Sequence, residues 1–167
     1  MALGETGADM VVTALREAFG LDAVARPGEI TVSITADQLL PVVRFARDQL
    51  GFSLLSAVTA VDYRDDFELA YHLVKLGLAP TLDLRLRVGR DQPTVPSLTG
   101  LFRGANLQER EVYDLMGIAF ESHPDLRRVL TWPGFVGHPL RKDYDNIDQE
   151  IPWELAGMRP VTGETGP

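Results

Sequence analysis

The side chains that could do chemistry in this chain are concentrated toward its C-terminal end. His123 and His138, together with Glu109, Glu111 or Asp125, offer nitrogen and oxygen donors of the kind that bind zinc. No His-Glu-x-x-His spacing joins them, and a proline follows each histidine directly. We therefore expect both histidines to make hydrogen bonds in His-Pro turns, with a metal site as the alternative.

Two neighbouring carboxylates, those of Glu109 and Glu111, are candidates for general acid–base catalysis. Residues two apart on a helix point in different directions, so this pair would not face a common substrate. We expect ion pairs along and across helices instead, including one between Arg110 and Asp114 at i,i+4 spacing. Nucleophilic and phosphate chemistry lack a motif, since the sequence contains neither Gly-x-Ser-x-Gly nor a P-loop.

Basic side chains form two dense pairs in the same region, at positions 127–128 and 141–142. Acidic residues lie close to both, because Asp125 precedes the first pair and Asp143 follows the second. Such neighbours neutralise the positive charge, which favours an interface lined by ion pairs over an anion-binding site.

Composition narrows the classes of function. The formal net charge of −8 disfavours nucleic acid and anionic membrane surfaces as partners, since both attract Lys and Arg. The chain has no cysteine, which excludes cysteine-ligated iron–sulfur clusters, cysteine-ligated zinc and thiol catalysis within it. The longest uncharged run, 49–61, is shorter than the roughly 20 residues that span a bilayer, so direct membrane insertion is not expected.

Hydrophobic periodicity predicts the elements that position these residues. A helix is predicted over 8–19, a strand over 29–34 and a second helix ending at Gly51. Thr35 and Gln38 fit a capping box at the start of the second helix, although Pro41 inside it suggests a later start. Three strands are predicted in succession over 52–61, 67–76 and 82–88, followed by a helix over 105–115.

These elements predict an α+β fold. Short connections make the three successive strands antiparallel neighbours, and one polar face implies that helices cover only the other face. The predicted architecture is a two-layer sandwich of a mixed, largely antiparallel sheet with helices on one face, plus an extended C-terminal tail. We assign residues 1–120 to the core domain and 121–167 to an irregular interaction tail.

The tail combines an irregular sequence with large apolar groups. It contains Trp132, Phe135, Leu140, Tyr144 and Trp153, which is too much apolar surface for a solvated linker. We therefore expect the tail to lie on another surface and do not expect it to be disordered. Aromatic residues and arginine are also the types that anchor protein interfaces.

Three sequence blocks identify a family. The blocks 109–118 (EREVYDLMGI), 123–128 (HPDLRR) and 137–144 (GHPLRKDY) closely resemble the C subunit of NADH-quinone oxidoreductase, the 30 kDa subunit family of respiratory complex I. Upstream, 55–63 (LSAVTAVDY) is similar to the family's strand ending in Val-Asp-Tyr. The resemblance covers roughly residues 8 to 145. One departure is Leu107-Gln108, where family members commonly carry an aromatic pair.

The resemblance implies a structural and assembly subunit in the peripheral arm of a proton-pumping NADH:quinone oxidoreductase, with no redox centre of its own. It implies two partners, namely the large quinone-site subunit (the D subunit) and the terminal iron–sulfur subunit (the B subunit). FMN, iron–sulfur clusters, NADH and a quinone would belong to the complex. The implied location is peripheral, on the cytoplasmic side of the cell membrane. A homologous subunit of a membrane-bound hydrogenase or ferredoxin-linked complex is the alternative, and an independent hydrolase a more distant one.

No catalytic, cofactor-binding or metal-binding residue is assigned by the resemblance. The implied interface and helix-fixing residues share charge, aromatic character or a His-Pro turn. They are Glu109, Arg110, Glu111, Asp114, His123, Asp125, Arg127, Arg128, Trp132, His138, Arg141, Lys142 and Asp143.

Overall fold

A five-stranded mixed sheet, covered by helices on one face, forms the centre of the molecule in a computed structural model that describes residues 3–145 and Gln149. The elements in chain order are α1 (Leu3–Phe19), β1 (Ala23–Arg26), β2 (Glu29–Ser33), α2 (Ala36–Asp48), β3 (Leu54–Asp62), β4 (Asp66–Lys75), β5 (Leu78–Gly89), β6 (Thr94–Pro96), α3 (Ala105–Met116) and β7 (Ala119–Glu121). The predicted α+β fold class is confirmed.

The strand order of the sheet is β1-β2-β5-β4-β3. The two hairpins β3–β4 and β4–β5 are antiparallel, as the short connections predict. β2 lies parallel to β5, with Ile30 opposite Leu82, and β1 closes the sheet as an antiparallel edge strand. β6 and β7 form a separate, parallel two-stranded sheet.

Alternation along the strands places the core on one side of the sheet. Phe67, Leu69, Tyr71 and Leu73 of β4 are fully buried, as the period of two requires. The residues between them point to the polar face. Asp83 on that face is only 6% exposed. Its carboxylate lies 2.8 Å from Nδ1 of His72, so these two side chains are hydrogen-bonded to each other on the sheet.

The second helix begins earlier than Pro41 suggested. α2 starts at Ala36, and Pro41 lies inside it. Pro41 and Asp37, whose carbonyl loses its partner, are both exposed, so water can satisfy the free carbonyl oxygen. The backbone N–H of Thr35 donates to Oε1 of Gln38 at 3.1 Å, which is one half of the predicted capping box.

The segment that follows β7 differs from the rest of the chain. Phe120 is the last buried residue of the described part, and residues 122–145 form no further helix or strand. Trp153 of the predicted tail lies outside the described residues. Among the described helices, none combines the length and the apolar composition needed to cross a membrane.

Candidate interaction site

We define the C-terminal strap as residues 123–145, the irregular segment that lies across the C-terminal end of α3. α3 ends at Gly117, whose φ of 70° is the left-handed conformation common after helices. Its N–H donates to the carbonyl of Tyr113 at 2.9 Å. The three following carbonyls, those of residues 114–116, have no partner within the helix.

The strap supplies partners for all three carbonyls. Nδ1 of His138 lies 2.9 Å from the carbonyl oxygen of Asp114. The N–H of Leu140 donates to the carbonyl of Leu115 at 3.1 Å. Nε of Arg141 donates to the carbonyl of Met116 at 2.6 Å. The Arg141 guanidinium also places a positive charge at the negative end of the helix dipole, which is stabilising.

One buried carboxylate organises the middle of the strap. Oδ2 of Asp114 accepts hydrogen bonds from the backbone N–H groups of three consecutive residues, Val129, Leu130 and Thr131, at 2.9, 2.7 and 2.9 Å. Oδ1 accepts from Arg128 at 2.9 Å. Burial alone would raise the pKa of Asp114, but the hydroxyl of Thr131 and the three N–H groups outweigh it and lower the pKa.

Arg128 extends this arrangement along the strap. Its Nη1 group donates to Oγ1 of Thr131 at 3.1 Å, and its Nη2 group donates to the carbonyl of Gly137 at 2.9 Å. The guanidinium also lies 5.8 Å from the ring centroid of Phe135. Arg128 therefore ties two distant parts of the strap to Asp114.

The predicted ion pair between Arg110 and Asp114 is wrong, because each side chain has partners in the strap. Nε of Arg110 donates to the carbonyl of Arg127 at 3.1 Å. Its Nη1 group lies 3.8 Å from the carboxylate of Asp125. The i,i+4 spacing puts the two residues on one side of α3, but the strap lies there and supplies better-placed groups.

Glu109 and Glu111 point apart, as the helical spacing predicts. Glu109 is fully buried, whereas Glu111 is exposed. Glu109 accepts from the hydroxyl of Ser97 and the N–H of Leu98, both at 2.6 Å. Burial raises its pKa despite these hydrogen bonds and the neighbouring imidazole of His123. Glu109 thus fastens α3 to the turn after β6.

The two histidines bond mainly to the backbone. Nε2 of His123 lies 3.1 Å from the carbonyl of Asn106, and its Nδ1 accepts from the N–H of Asp125 at 3.0 Å. For His138, burial lowers the pKa, and the nearby Arg141 and Arg128 act in the same direction. No group of three or more candidate ligands converges anywhere in the described part of the chain.

The end of the strap is fixed to the sheet by Asp62. The carboxylate of Asp62, only 2% exposed, accepts from Arg90 at 2.7 Å and from the N–H of Lys142 at 2.9 Å. Arg90 also pairs with Asp143. The hydrogen bond from Arg90 and those from the N–H groups of Lys142 and Arg64 lower the pKa of Asp62, although burial opposes the shift.

The strap's aromatic residues pack on one another. The rings of Trp132 and Phe135 meet edge to face with centroids 4.8 Å apart. Phe135 stacks on Tyr144 with centroids 6.1 Å apart. Trp132 and Phe135 flank a turn at 133–134, in which the N–H of Phe135 donates to the carbonyl of Trp132 at 3.0 Å. The expectation that the tail lies against another protein stays a prediction.

The middle of the strap, residues 129–140, has an apolar outward side. The twelve residues from Val129 to Leu140 include no Asp, Glu, Lys or Arg. Leu130, Val136 and Leu140 are 62%, 58% and 56% exposed. Inward, the same segment directs its polar atoms to α3. The strap can therefore present an apolar surface while its own hydrogen bonds are made.

Comparison with known families decides what kind of protein this is. The family model described as "Respiratory-chain NADH dehydrogenase, 30 Kd subunit" matches residues 32–150. The chain belongs to this family. The match covers all of the charged contacts described above, from Asp62 to Asp143.

Relatives in the 30 kDa subunit family are similar over most of the chain. One of the NADH-quinone oxidoreductase C subunits of Rhizobium meliloti is 46% identical, covering 87% of this chain and 81% of the relative. The NADH-quinone oxidoreductase C subunit of Moorella thermoacetica is 46% identical over 66% of this chain and 76% of the relative.

Two solved structures share the fold of this member of the 30 kDa subunit family. A trypsin-resistant fragment of Nqo5 superposes with a TM-score of 0.63 at 29% identity, covering 72% of this chain and 99% of the fragment. A chain of the membrane-bound sulfane sulfur reductase, an archaeal respiratory membrane complex, superposes with a TM-score of 0.75 at 26% identity, covering 85% of this chain and 87% of the other.

The structure brings most of the predicted residues of this family member to one place. Eleven of the thirteen have a side chain or backbone group in the contacts between α3, the strap and the sheet; Glu111 is exposed on α3, and Trp132 packs within the strap. Their role at an interface with another protein of the complex stays a prediction.

Sequence reasoning on this family member missed three residues of the site, Asp62, Arg90 and Ser97. Asp62 stood in the Val-Asp-Tyr block, and this block was the available signal. Arg90 and Ser97 lie in loops without a motif, so nothing in the sequence marked them.

Proposed function

We propose that this chain is a structural and assembly subunit of the peripheral arm of a proton-pumping NADH:quinone oxidoreductase. In this proposal the chain carries no redox centre, docks through its strap on the large quinone-site subunit, and lies near the terminal iron–sulfur subunit. FMN, the iron–sulfur clusters and the NADH and quinone sites belong to the other subunits. The chain is peripheral, on the cytoplasmic side of the cell membrane.

The observation that carries the proposal is the two-sided construction of the strap. Its inward polar groups are satisfied by α3 and the sheet, while Leu130, Val136 and Leu140 remain more than half exposed. Several exposed aliphatic groups within a stretch of chain that carries no Asp, Glu, Lys or Arg are typical of the central part of a protein interface. Membership of the 30 kDa subunit family supplies the class of partner.

Co-purification tests the proposal. A tagged copy of the chain is isolated from native membranes, and the accompanying proteins are identified. The NADH-binding flavoprotein should appear together with the large quinone-site subunit and the terminal iron–sulfur subunit. Recovery of the chain alone from intact membranes would contradict the proposal.

A matched pair of variants tests the surface itself. Leu130→Asp places a charge on the outward side of the strap and should reduce co-purification at least tenfold, since desolvating an unpaired charge costs several kcal/mol. Leu76→Asp is the control, because Leu76 is 74% exposed in the turn between β4 and β5, away from the strap. Equal losses for both variants would show that the strap is not the docking surface.

A second candidate is the homologous subunit of a membrane-bound hydrogenase or ferredoxin-linked complex. It is favoured by the superposition on a chain of the sulfane sulfur reductase, which covers more of this chain than the Nqo5 fragment does. Co-purification also separates the two candidates. A large subunit with nickel-binding cysteines, in place of the NADH-binding flavoprotein, would indicate the second.

A further inference from the structure

We propose that the strap is a latch, a segment that opens locally while the chain is free and stays closed when the large quinone-site subunit covers it. Asp114 is the residue that holds the strap closed. The proposal rests on the proposed function, because that function supplies the covering partner. It adds that the docking surface is formed only part of the time before assembly.

The first observation is where burial ends. None of residues 121–145 is buried as a whole, although the side chain of His123 is buried and Leu126 packs partly on the core at the start of the strap. In contrast, α3 has Ala105, Val112 and Met116 in the core. Segments with few buried apolar contacts open at free energies far below that of global unfolding. The cluster of Trp132 and Phe135 does not change this, because both residues belong to the strap and move with it.

The second observation is what holds the strap. Its contacts with α3 are hydrogen bonds to the carboxylate of Asp114, to the last carbonyls of the helix and to the carbonyl of Asn106, together with those from the Arg110 guanidinium. At the far end of the strap, the N–H of Lys142 donates to Asp62. When the strap opens, Asp114 and these carbonyls become accessible to water, which replaces the lost partners. Opening therefore leaves no buried polar group unpaired, and net hydrogen-bond energies are small when water is the alternative.

The third observation is the side on which the apolar groups lie. In the closed strap, Leu130 is 62% exposed and Leu140 is 56% exposed, so closing the strap withdraws less than half of either side chain from water. A partner that covers these side chains adds the missing hydrophobic term to the closed state alone. Binding to one of two states shifts the equilibrium toward that state.

Asp114 holds the strap closed because several strap groups form hydrogen bonds to it. Three consecutive N–H groups, the hydroxyl of Thr131 and the guanidinium of Arg128 all converge on its two oxygens. Hydrogen bonds to a charged acceptor are stronger than neutral ones. Asp114 does not line the outward side of the strap, so it would influence docking as a positioning residue, through the strap's conformation.

Amide hydrogen exchange on the free, full-length chain tests the latch. The N–H groups of Val129, Leu130 and Leu140 should exchange within about a hundredfold of unstructured rates, while those of β4 and β5 are protected by the global stability. In the purified complex the strap N–H groups should become as protected as the sheet. Protection equal to that of β4 in the free chain, or none in the complex, would overturn the proposal.

A pair of variants tests whether Asp114 holds the strap closed. Asp114→Asn removes the charge and should speed exchange at 129–131 about tenfold in the free chain, with β4 and β5 unchanged. Glu111→Gln, an exposed change on the same helix, should leave exchange unaltered. Unchanged amide exchange of the strap in Asp114→Asn would show that Asp114 does not hold the strap closed.

Two further measurements keep the outcomes separate. If Asp114→Asn does not fold, Thr131→Val removes the hydroxyl that donates to Asp114 from the strap and should also speed exchange at 129–131. Failure of the wild-type chain to co-purify with other proteins of the complex would refute the proposed function. It would not alter the exchange pattern of the free chain, which tests the latch by itself.

Discussion

Replacing Gly117 with alanine would push the strap away from α3. A Cβ atom at Gly117 would lie 2.5 Å from Cδ2 and Nε2 of His138 and 2.6 Å from Nη2 of Arg141. These distances are shorter than real Cβ contacts, so the His138 ring and the Arg141 guanidinium must leave the positions in which they contact the end of α3. The hydrogen bond from Arg141 to the carbonyl of Met116 would be lost when the guanidinium shifts.

A second glycine provides the matched control. Gly20 follows α1 with a φ of 67°, close to the 70° of Gly117, and a Cβ atom there would meet nothing within 4 Å. Gly20→Ala therefore measures the backbone cost of a left-handed alanine alone, about 1–2 kcal/mol. Gly117→Ala has the same backbone cost plus the displacement of the strap.

The displacement has a calculable upper limit. The clash and the lost charged hydrogen bond would each cost about 1–3 kcal/mol if the strap stayed in place. The strap can instead open, so the extra cost cannot exceed its opening free energy. We expect Gly117→Ala to destabilise the free chain by about 1–3 kcal/mol more than Gly20→Ala, well below a typical global stability of about 5–15 kcal/mol.

Urea unfolding of the two variants and the wild type gives the required difference. The comparison is valid where all three share one m-value. A difference below about 0.5 kcal/mol would mean that the strap is not seated on α3 in the free chain. A difference approaching the whole stability would mean that the strap belongs to the core. Either result refutes the reasoning.

Three other changes test separate contacts. Because the pKa of Glu109 is raised in the folded state, this group stabilises the fold below about pH 4.3, and the contribution is lost as pH rises through the folded-state pKa. The difference in unfolding free energy between the wild type and Glu109→Gln should therefore decrease as pH rises above about 4.3. Because the pKa of Asp114 is lowered in the folded state, this group stabilises the fold above about pH 3.9, and the contribution is lost on acidification. The difference between the wild type and Asp114→Asn should therefore decrease as pH falls. Urea midpoints from pH 3 to 7 measure both variants, and pH curves parallel to that of the wild type would contradict the assignment. Asp62→Asn should lower the free energy of unfolding by about 2–4 kcal/mol, because it weakens the buried ion pair with Arg90. Asp65→Asn, an exposed change in the same turn, should alter it by no more than about 0.5 kcal/mol. A similar loss for both variants in thermal unfolding would rule out this account of Asp62.

Local patterns in the sequence were enough for the helices and the hairpins. The helix predicted over 105–115 corresponds to α3, and the strand predicted over 82–88 lies within β5. These predictions depend on residues close in sequence. The capping signal at Thr35 was in fact a better guide to the start of α2 than Pro41, because the proline lies on the exposed side of the helix.

Contacts between distant residues could not be read from the sequence. The N–H of Lys142 reaches Asp62, 80 residues earlier, and Arg90 reaches Asp143, 53 residues later. No local period encodes such pairs. The parallel pairing of β2 with β5 was missed for the same reason, although the motif blocks did indicate most residues around α3.

The parallel pairing of β2 with β5 has a consequence for the order in which the chain folds. β3, β4 and β5 are joined by tight turns, so their meander closes only short loops. Ile30 must find Leu82 across about fifty residues, and closing such a long loop is entropically costly until the meander exists. Core truncations in β4 should therefore slow folding, whereas truncations in β2 should mainly speed unfolding.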